Sequence, residues 1–199
     1  MSVSVRVATL ADVAALQVLI ARSARALSVG FYTSDEAEAA IRHVFGVDSQ
    51  LVRDGTYFVA ELAGALAGCG GWSYRRTLYG GDQRPVASAD ATGRAPAGLA
   101  SSAAAVVQPS EGRLEPGRDA ARVRAFFVAP EAARRGVGRA ILAACEGAAV
   151  AAGFTRFELM ATLPGVPFYE VCGYRAVEEV TDVLPDGTSL RFVRMERTP

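Results

Sequence analysis

Apolar and polar residues alternate from Val3 to Val7, the spacing of a half-buried strand, and the pattern then lengthens to a helical period. Val13, Leu16, Leu19, Ile20 and Leu27 fall on one face of a helix expected to end near Leu27, opened by Thr9 and Asp12 at capping-box spacing. A second helix is expected from Thr33 to Phe45, where acidic residues sit near its positive end. The apolar runs 56–62 and 65–72, joined by a turn at Gly64, predict a hairpin, and Ala121 to Val128 predicts a further strand. Ile141, Cys145, Ala148 and Ala152 then recur at helical spacing until Gly153. Residues 156–162 read as a buried strand, 165–173 as a short helix stopped by Gly173, and 189–196 as a last strand. The order is that of a mixed α/β protein.

Length and composition narrow the function more than the fold. At 199 residues and 51% hydrophobic content the chain is expected to form one domain, 1–199, with a sizeable core. Twenty-one basic residues balance twenty-one acidic ones, which speaks against nucleic acid or an anionic membrane as partner and for small-molecule chemistry. Cys69, Cys145 and Cys172 are widely spaced, which disfavours a disulfide framework or a metal site and suggests a reducing cytoplasm. Residues 10–21 are apolar but interrupted by Asp12, and no stretch approaches membrane-spanning length. From Gln83 to Gly117 the chain is rich in Ala, Ser, Gly and Pro without a period. This insertion could be a lid, an oligomer contact or an embellishment.

The stretch VAPEAARRGVGRAIL, residues 128–142, carries the chemistry. A strand ending in a turn that opens a helix presents backbone N–H groups without helical partners, and the peptide dipoles add positive potential there. Gly136 and Gly138 would let an anion approach the backbone, with Arg134, Arg135 and Arg139 supplying charge. The plainer alternative is a tight turn with solvated arginines. A dinucleotide fingerprint would need a small residue at Ile141, and a P-loop would need a Gly-Lys-Ser/Thr ending that is missing.

With the strand before it and the pairs Phe168-Tyr169 and Gly173-Tyr174 after it, the region 122–178 resembles the GNAT superfamily of acyl-CoA-dependent N-acetyltransferases. The resemblance implies a mixed central sheet with helices on both faces and a splayed strand pair at the CoA site. It also implies acetyl-CoA as cosubstrate, no metal, and a small-molecule or peptide amine as acceptor. Arg134, Arg135, Gly136, Val137, Gly138 and Arg139 would then hold the CoA pyrophosphate, and Phe126, Phe127 and Val128 the strand end that pairs with the pantetheine amides. Ala133 departs from the family's Gln or Arg, and Arg134 is placed to compensate.

Tyr169 matches the family tyrosine near the CoA sulfur and is expected to act as an acid, with a packed aromatic as the alternative. Glu158, in the strand 156–162, is expected either to act as a general base or to pair with an arginine. His43 reads as a surface or packing residue, Cys172 as a small hydrophobe. Trp72, Tyr74 and Tyr79 with Arg75 and Arg76 suggest either an aromatic, cationic pocket or strand-end packing. A noncatalytic acyl-CoA sensor is the rival reading, and a homodimer is left open.

Overall fold

The computed structural model describes residues 2–82 and 112–198. Strand β1 (Val3–Val7) leads through a turn at Leu10–Asp12 into α1 (Val13–Leu27), followed by α2 (Ser34–His43), α3 (Ser49–Arg53), β2 (Tyr57–Leu62) and β3 (Ala65–Ser73). After the residues outside the described set come β4 (Ala121–Val128), α4 (Val137–Ala151), β5 (Phe157–Thr162), α5 (Val166–Val171), β6 (Arg175–Val183) and β7 (Ser189–Arg197). The seven strands form one mixed sheet in the order β1-β2-β3-β4-β5-β7-β6. Only β4 and β5 run parallel, and every other neighbour pair is antiparallel.

Local chemistry sets the helix starts. Thr9 and Asp12 close the expected capping box, with the Thr9 N–H donating to the Asp12 carboxylate at 2.7 Å. Thr33 and Glu36 do the same for α2, satisfying N–H groups that the helix leaves without partners. Two elements were not foreseen. Helix α3 is only five residues long, too short for a periodic signature, and depends on Asp48, whose side chain accepts from the N–H groups of Gln50 and Leu51. Strand β6 lies at the sheet edge and is exposed along nearly its whole length, so its acidic sequence shows no apolar alternation.

Helices cover both faces, and the glycines of β3 show how closely. A Cβ on Gly68 or Gly70 would stand 2.9 Å from the Ile141 side chain of α4, whereas one on Gly71 would stand 2.8 Å from Leu51 of α3 on the opposite face. Bare backbone there lets both helices approach the sheet. Among the described residues no helix is long and apolar enough to cross a membrane. Most of the expected insertion 83–117 lies outside the described residues. Its last part is built into the fold: Leu114 is buried and its N–H donates to the Tyr74 carbonyl at 2.7 Å, while Arg113 bridges Arg75.

Candidate active site

The sheet opens at its one parallel pair. Strands β4 and β5 are in register only through Ala121↔Phe157, Arg122↔Glu158 and Val123↔Leu159; beyond these, β4 continues to Val128 and β5 to Thr162 without pairing to each other. A bulge turns β4 at the opening, because Ala125 and Phe126 stand opposite the single Gly70 between the pairs Gly71↔Arg124 and Cys69↔Phe127. Ala125 takes the left-handed φ of 53°, a costly conformation for a residue with a Cβ. Its carbonyl accepts from the hydroxyl of fully buried Tyr57 at 3.1 Å, so the bulge leaves no orphaned acceptor.

The bulge sends successive side chains of β4 to opposite faces. Phe126 packs against Phe168 and Tyr169 at ring separations of 5.8 and 6.0 Å, while Phe127 meets Phe45 edge-on at 5.5 Å. Past Val128, a short turn at Pro130–Ala132 and the left-handed residues Arg134 (φ 61°) and Gly136 (φ 84°) deliver the chain into α4. No side chain caps α4, whose first intrahelical bond runs from the Ala140 N–H to the Gly136 carbonyl at 3.0 Å. The N–H groups of Val137, Gly138 and Arg139 therefore lack intrahelical acceptors at the positive end of the helix dipole. Arg134, Arg135 and Arg139 are exposed around them.

The two glycines of this turn have separate physical reasons. Gly136 needs its positive φ, and a Cβ there would meet nothing within 4 Å, leaving open space over the turn. Gly138 is bare because the Phe168 ring lies 3.2 Å from where its Cβ would be. Gly136 thus leaves open space over the turn, and Gly138 lets α4 and α5 close together.

Tyr169 sits on α5 at the same end, with its ring flanked by Phe126, Phe168 and Tyr174 and lying 3.3 Å from a Cβ placed on Gly165. Its hydroxyl makes no hydrogen bond to another described residue, and burial pushes its pKa well up. The chain then leaves α5 through Gly173 at φ 88°, with the Tyr174 N–H returning to the Tyr169 carbonyl at 3.0 Å. A cleft of about 230 Å³ runs along the outer side of α4 between Arg139, Glu146, Cys172 and Arg197.

Residues 102–198 match the family model described as Acetyltransferase (GNAT) domain. That half of the chain is therefore similar to a GNAT acetyltransferase domain. Solved structures share the fold over nearly their whole lengths. A GCN5-related N-acetyltransferase from Rhodopseudomonas palustris superposes with a TM-score of 0.66 at 17% identity, covering 100% of this chain and 97% of that one. The PaiA N-acetyltransferase of Thermoplasma acidophilum, solved with coenzyme A, gives 0.59 at 13% identity with 100% of both chains covered. A ribosomal-protein-alanine N-acetyltransferase from Brucella melitensis gives 0.57 at 16%, covering 98% of this chain and 99% of that one. No curated protein matches the sequence.

Within this matched region the expected site residues fall into two groups. Phe126 to Val128, the turn 134–139 and Tyr169 converge at the open end of β4. Glu158 does not join them, being engaged on the opposite face of the sheet from α4 by Arg122 and, at 3.1 Å, by Arg194. Its strand pairing with Arg122 puts it in the closed part of β4–β5, beside a cleft of about 180 Å³ lined also by Arg118, Arg156 and Glu196. Both guanidiniums engage this carboxylate, which is the arrangement of the ion-pair alternative.

The remaining candidates disperse. His43 pairs with Asp186 at 3.2 Å on the surface side of α2. Trp72 is buried against Phe154, Tyr74 lies between Arg75 and Arg113 at 5.3 and 5.0 Å, and Tyr79 crosses to Phe192, so these aromatics do not share one pocket. Among the described residues no group of three metal-ligating side chains assembles. Sequence reasoning missed Tyr32, whose hydroxyl donates to the Arg191 carbonyl of β7 and accepts from the Leu163 N–H at 2.9 Å. It ties the turn before α5 to the far side of the opening, and burial pushes its pKa up to about 12. Nothing in a lone tyrosine between two helices signals such a role.

Proposed function

We propose that the chain moves an acetyl group from acetyl-CoA directly to a primary amine in a ternary complex, without a covalent enzyme intermediate. The observation that carries this reading is the convergence, at the one place where the sheet parts, of an unpaired strand edge, an uncapped helix N-terminus and the Tyr169 phenol. The edge at Phe126, Phe127 and Val128 suits an amide-bearing chain that would add as a short extra strand. Arg134, Arg135, Gly136, Val137, Gly138 and Arg139 suit a pyrophosphate, through backbone N–H groups first and guanidiniums second. The cleft beyond Arg139 leaves room for the adenosine end.

An amine of pKa ~10.4 must lose a proton before its lone pair can attack the thioester carbonyl. We assign that proton to water, because Glu158 is committed to Arg122 and Arg194. As the C–S bond breaks, the departing sulfur gains from a proton donor. The Tyr169 phenol, protonated at neutral pH and packed beside Phe126 at the open end of β4, is the group we assign to donate that proton. The free thiols Cys69, Cys145 and Cys172 support a cytoplasmic site of action. We take residues 1–199 as one N-acetyltransferase unit.

The test uses Gly136→Asp. A Cβ at this position meets no heavy atom within 4 Å, so the fold should survive the strain of a left-handed Asp. A carboxylate beside the turn should weaken acetyl-CoA binding at least tenfold by calorimetry. Unchanged affinity would remove the phosphate assignment.

A further inference from the structure

Directly paired residues of adjacent strands share a face, and so do alternate residues along a strand. By that rule Arg122 and Arg124 of β4, Glu158, Met160 and Thr162 of β5, and Phe192 and Arg194 of β7 occupy one face. It is the α3 face, since Arg124 is ion-paired with Asp48 at the start of α3. The segment that leaves β3 crosses this face. Arg124 donates to the carbonyls of Thr77 at 2.8 Å and Gly80 at 3.0 Å, and between them Tyr79 reaches the Phe192 ring of β7 at 5.3 Å. Strand β5 lies between β4 and β7, so residues 77–80 bridge the opening from one side to the other. The bridge is then pinned by Gly81 N–H to the Val44 carbonyl, Asp82 N–H to the Val47 carbonyl, both at 3.0 Å, and Ser49 to the Asp82 carboxylate.

We infer that this strap forms the acceptor wall of the site, and that Tyr79, packed on Phe192 on the same face of the sheet as the Phe45–Phe127 pair, selects an amine carried on a flat apolar frame. The inference rests on the acyl-transfer reading and names its substrate class. Two aromatic pairs flank the opening on the face away from α4. Among the described residues, three carboxylates on this face are engaged: Asp48 by Arg124 and two backbone N–H groups, Asp82 by Ser49, and Glu158 by Arg122 and Arg194. A second ammonium group on the acceptor would find aromatic rings, guanidiniums and, among these described residues, only carboxylates already engaged, so its lost water would not be replaced. An aromatic frame would stack on Tyr79 and Phe127.

The experiment compares phenethylamine, n-hexylamine and 1,6-diaminohexane as acceptors, using the full chain. Acetyl-CoA affinity is measured separately by calorimetry, and each amine is also titrated into the protein saturated with CoA. Expected are at least tenfold higher kcat/KM and tighter binding for phenethylamine than for the diamine. Tyr79→Ala and Tyr79→Leu should erase that preference through KM, leave acetyl-CoA affinity unchanged, and be matched to the parent by Tyr79→Phe. A preference for the diamine, no amine binding to the CoA-loaded protein, or a Tyr79→Ala variant with the parent's preference would each overturn the inference. Failure to bind acetyl-CoA would instead overturn the acyl-transfer reading.

Discussion

The two sides of the opening are built from different materials. On the α4 side the features that would hold acetyl-CoA are mostly backbone: an unpaired strand edge, N–H groups at a helix start and a left-handed glycine. On the α3 side the surface is made by side chains reaching across the chain, as Arg124 does to Asp48 and Tyr79 to Phe192. A backbone site tolerates many sequences as long as its turn and its glycines stay. A side-chain surface changes with each substitution. One half can thus keep a common cosubstrate while the other varies its acceptor.

That contrast is tested most severely at Tyr169, the side chain proposed to supply a proton in the donor half. Tyr169→Phe keeps the ring contacts with Phe126, Phe168 and Tyr174 but removes the hydroxyl. Turnover should fall about 100-fold or more, with acetyl-CoA affinity within about twofold of the parent, since a general acid contributes about 10²–10⁴. Full turnover in this variant would mean that the donor half works through backbone alone.

Glu158→Gln comes next in size and probes the acceptor face. Breaking a largely buried ion cluster leaves Arg122 and Arg194 without their shared carboxylate, so urea unfolding should show a loss of about 1–3 kcal/mol, discounted for the partial exposure of Arg194. The acidic limb of the pH–rate profile should not move. A shifted limb with unchanged stability would return the base role to Glu158.

The smallest effect is expected at Asp54, which braces α3 to the start of the strap through Arg75 at 2.8 Å. The Arg75 hydrogen bonds hold its carboxyl below the usual value of 3.8. A depressed folded pKa contributes stability above the unfolded pKa, and that stability is lost as pH falls through the folded value. Asp54→Asn should therefore cost under about 1 kcal/mol at pH 7 and flatten the decline in melting temperature below about pH 4. An unchanged slope would place the acid sensitivity in other carboxylates.

What the sequence revealed follows the same division. The proposed donor half was legible because its requirements are local: Gly136, the arginines and the Phe168-Tyr169 pair lie within 35 positions of one another. Even so, the reason for Gly138 was hidden, since it depends on where the Phe168 ring arrives from another helix. The acceptor side was barely legible. Asp48 and Arg124 are far apart in the chain, as are Tyr79 and Phe192, and no periodicity announces such meetings. Strand β6 escaped for a simpler reason, since an edge strand exposed on both faces has no apolar alternation to reveal it. Glu158 was placed on a strand, and nothing in the sequence showed that both Arg122 and Arg194 reach its carboxylate.

The hydroxyl of Tyr57 on the Ala125 carbonyl also bears on where this chain can be divided. The family model begins at residue 102, so that boundary separates β4 from the tyrosine supporting its bulge and from β3, its antiparallel neighbour. A fragment cut there would hold every recognisable motif residue while exposing one strand edge and orphaning one carbonyl. The unit of recognition is therefore smaller than the unit of folding, and grafting the motif onto another scaffold would require transplanting its buttress from the preceding hairpin as well.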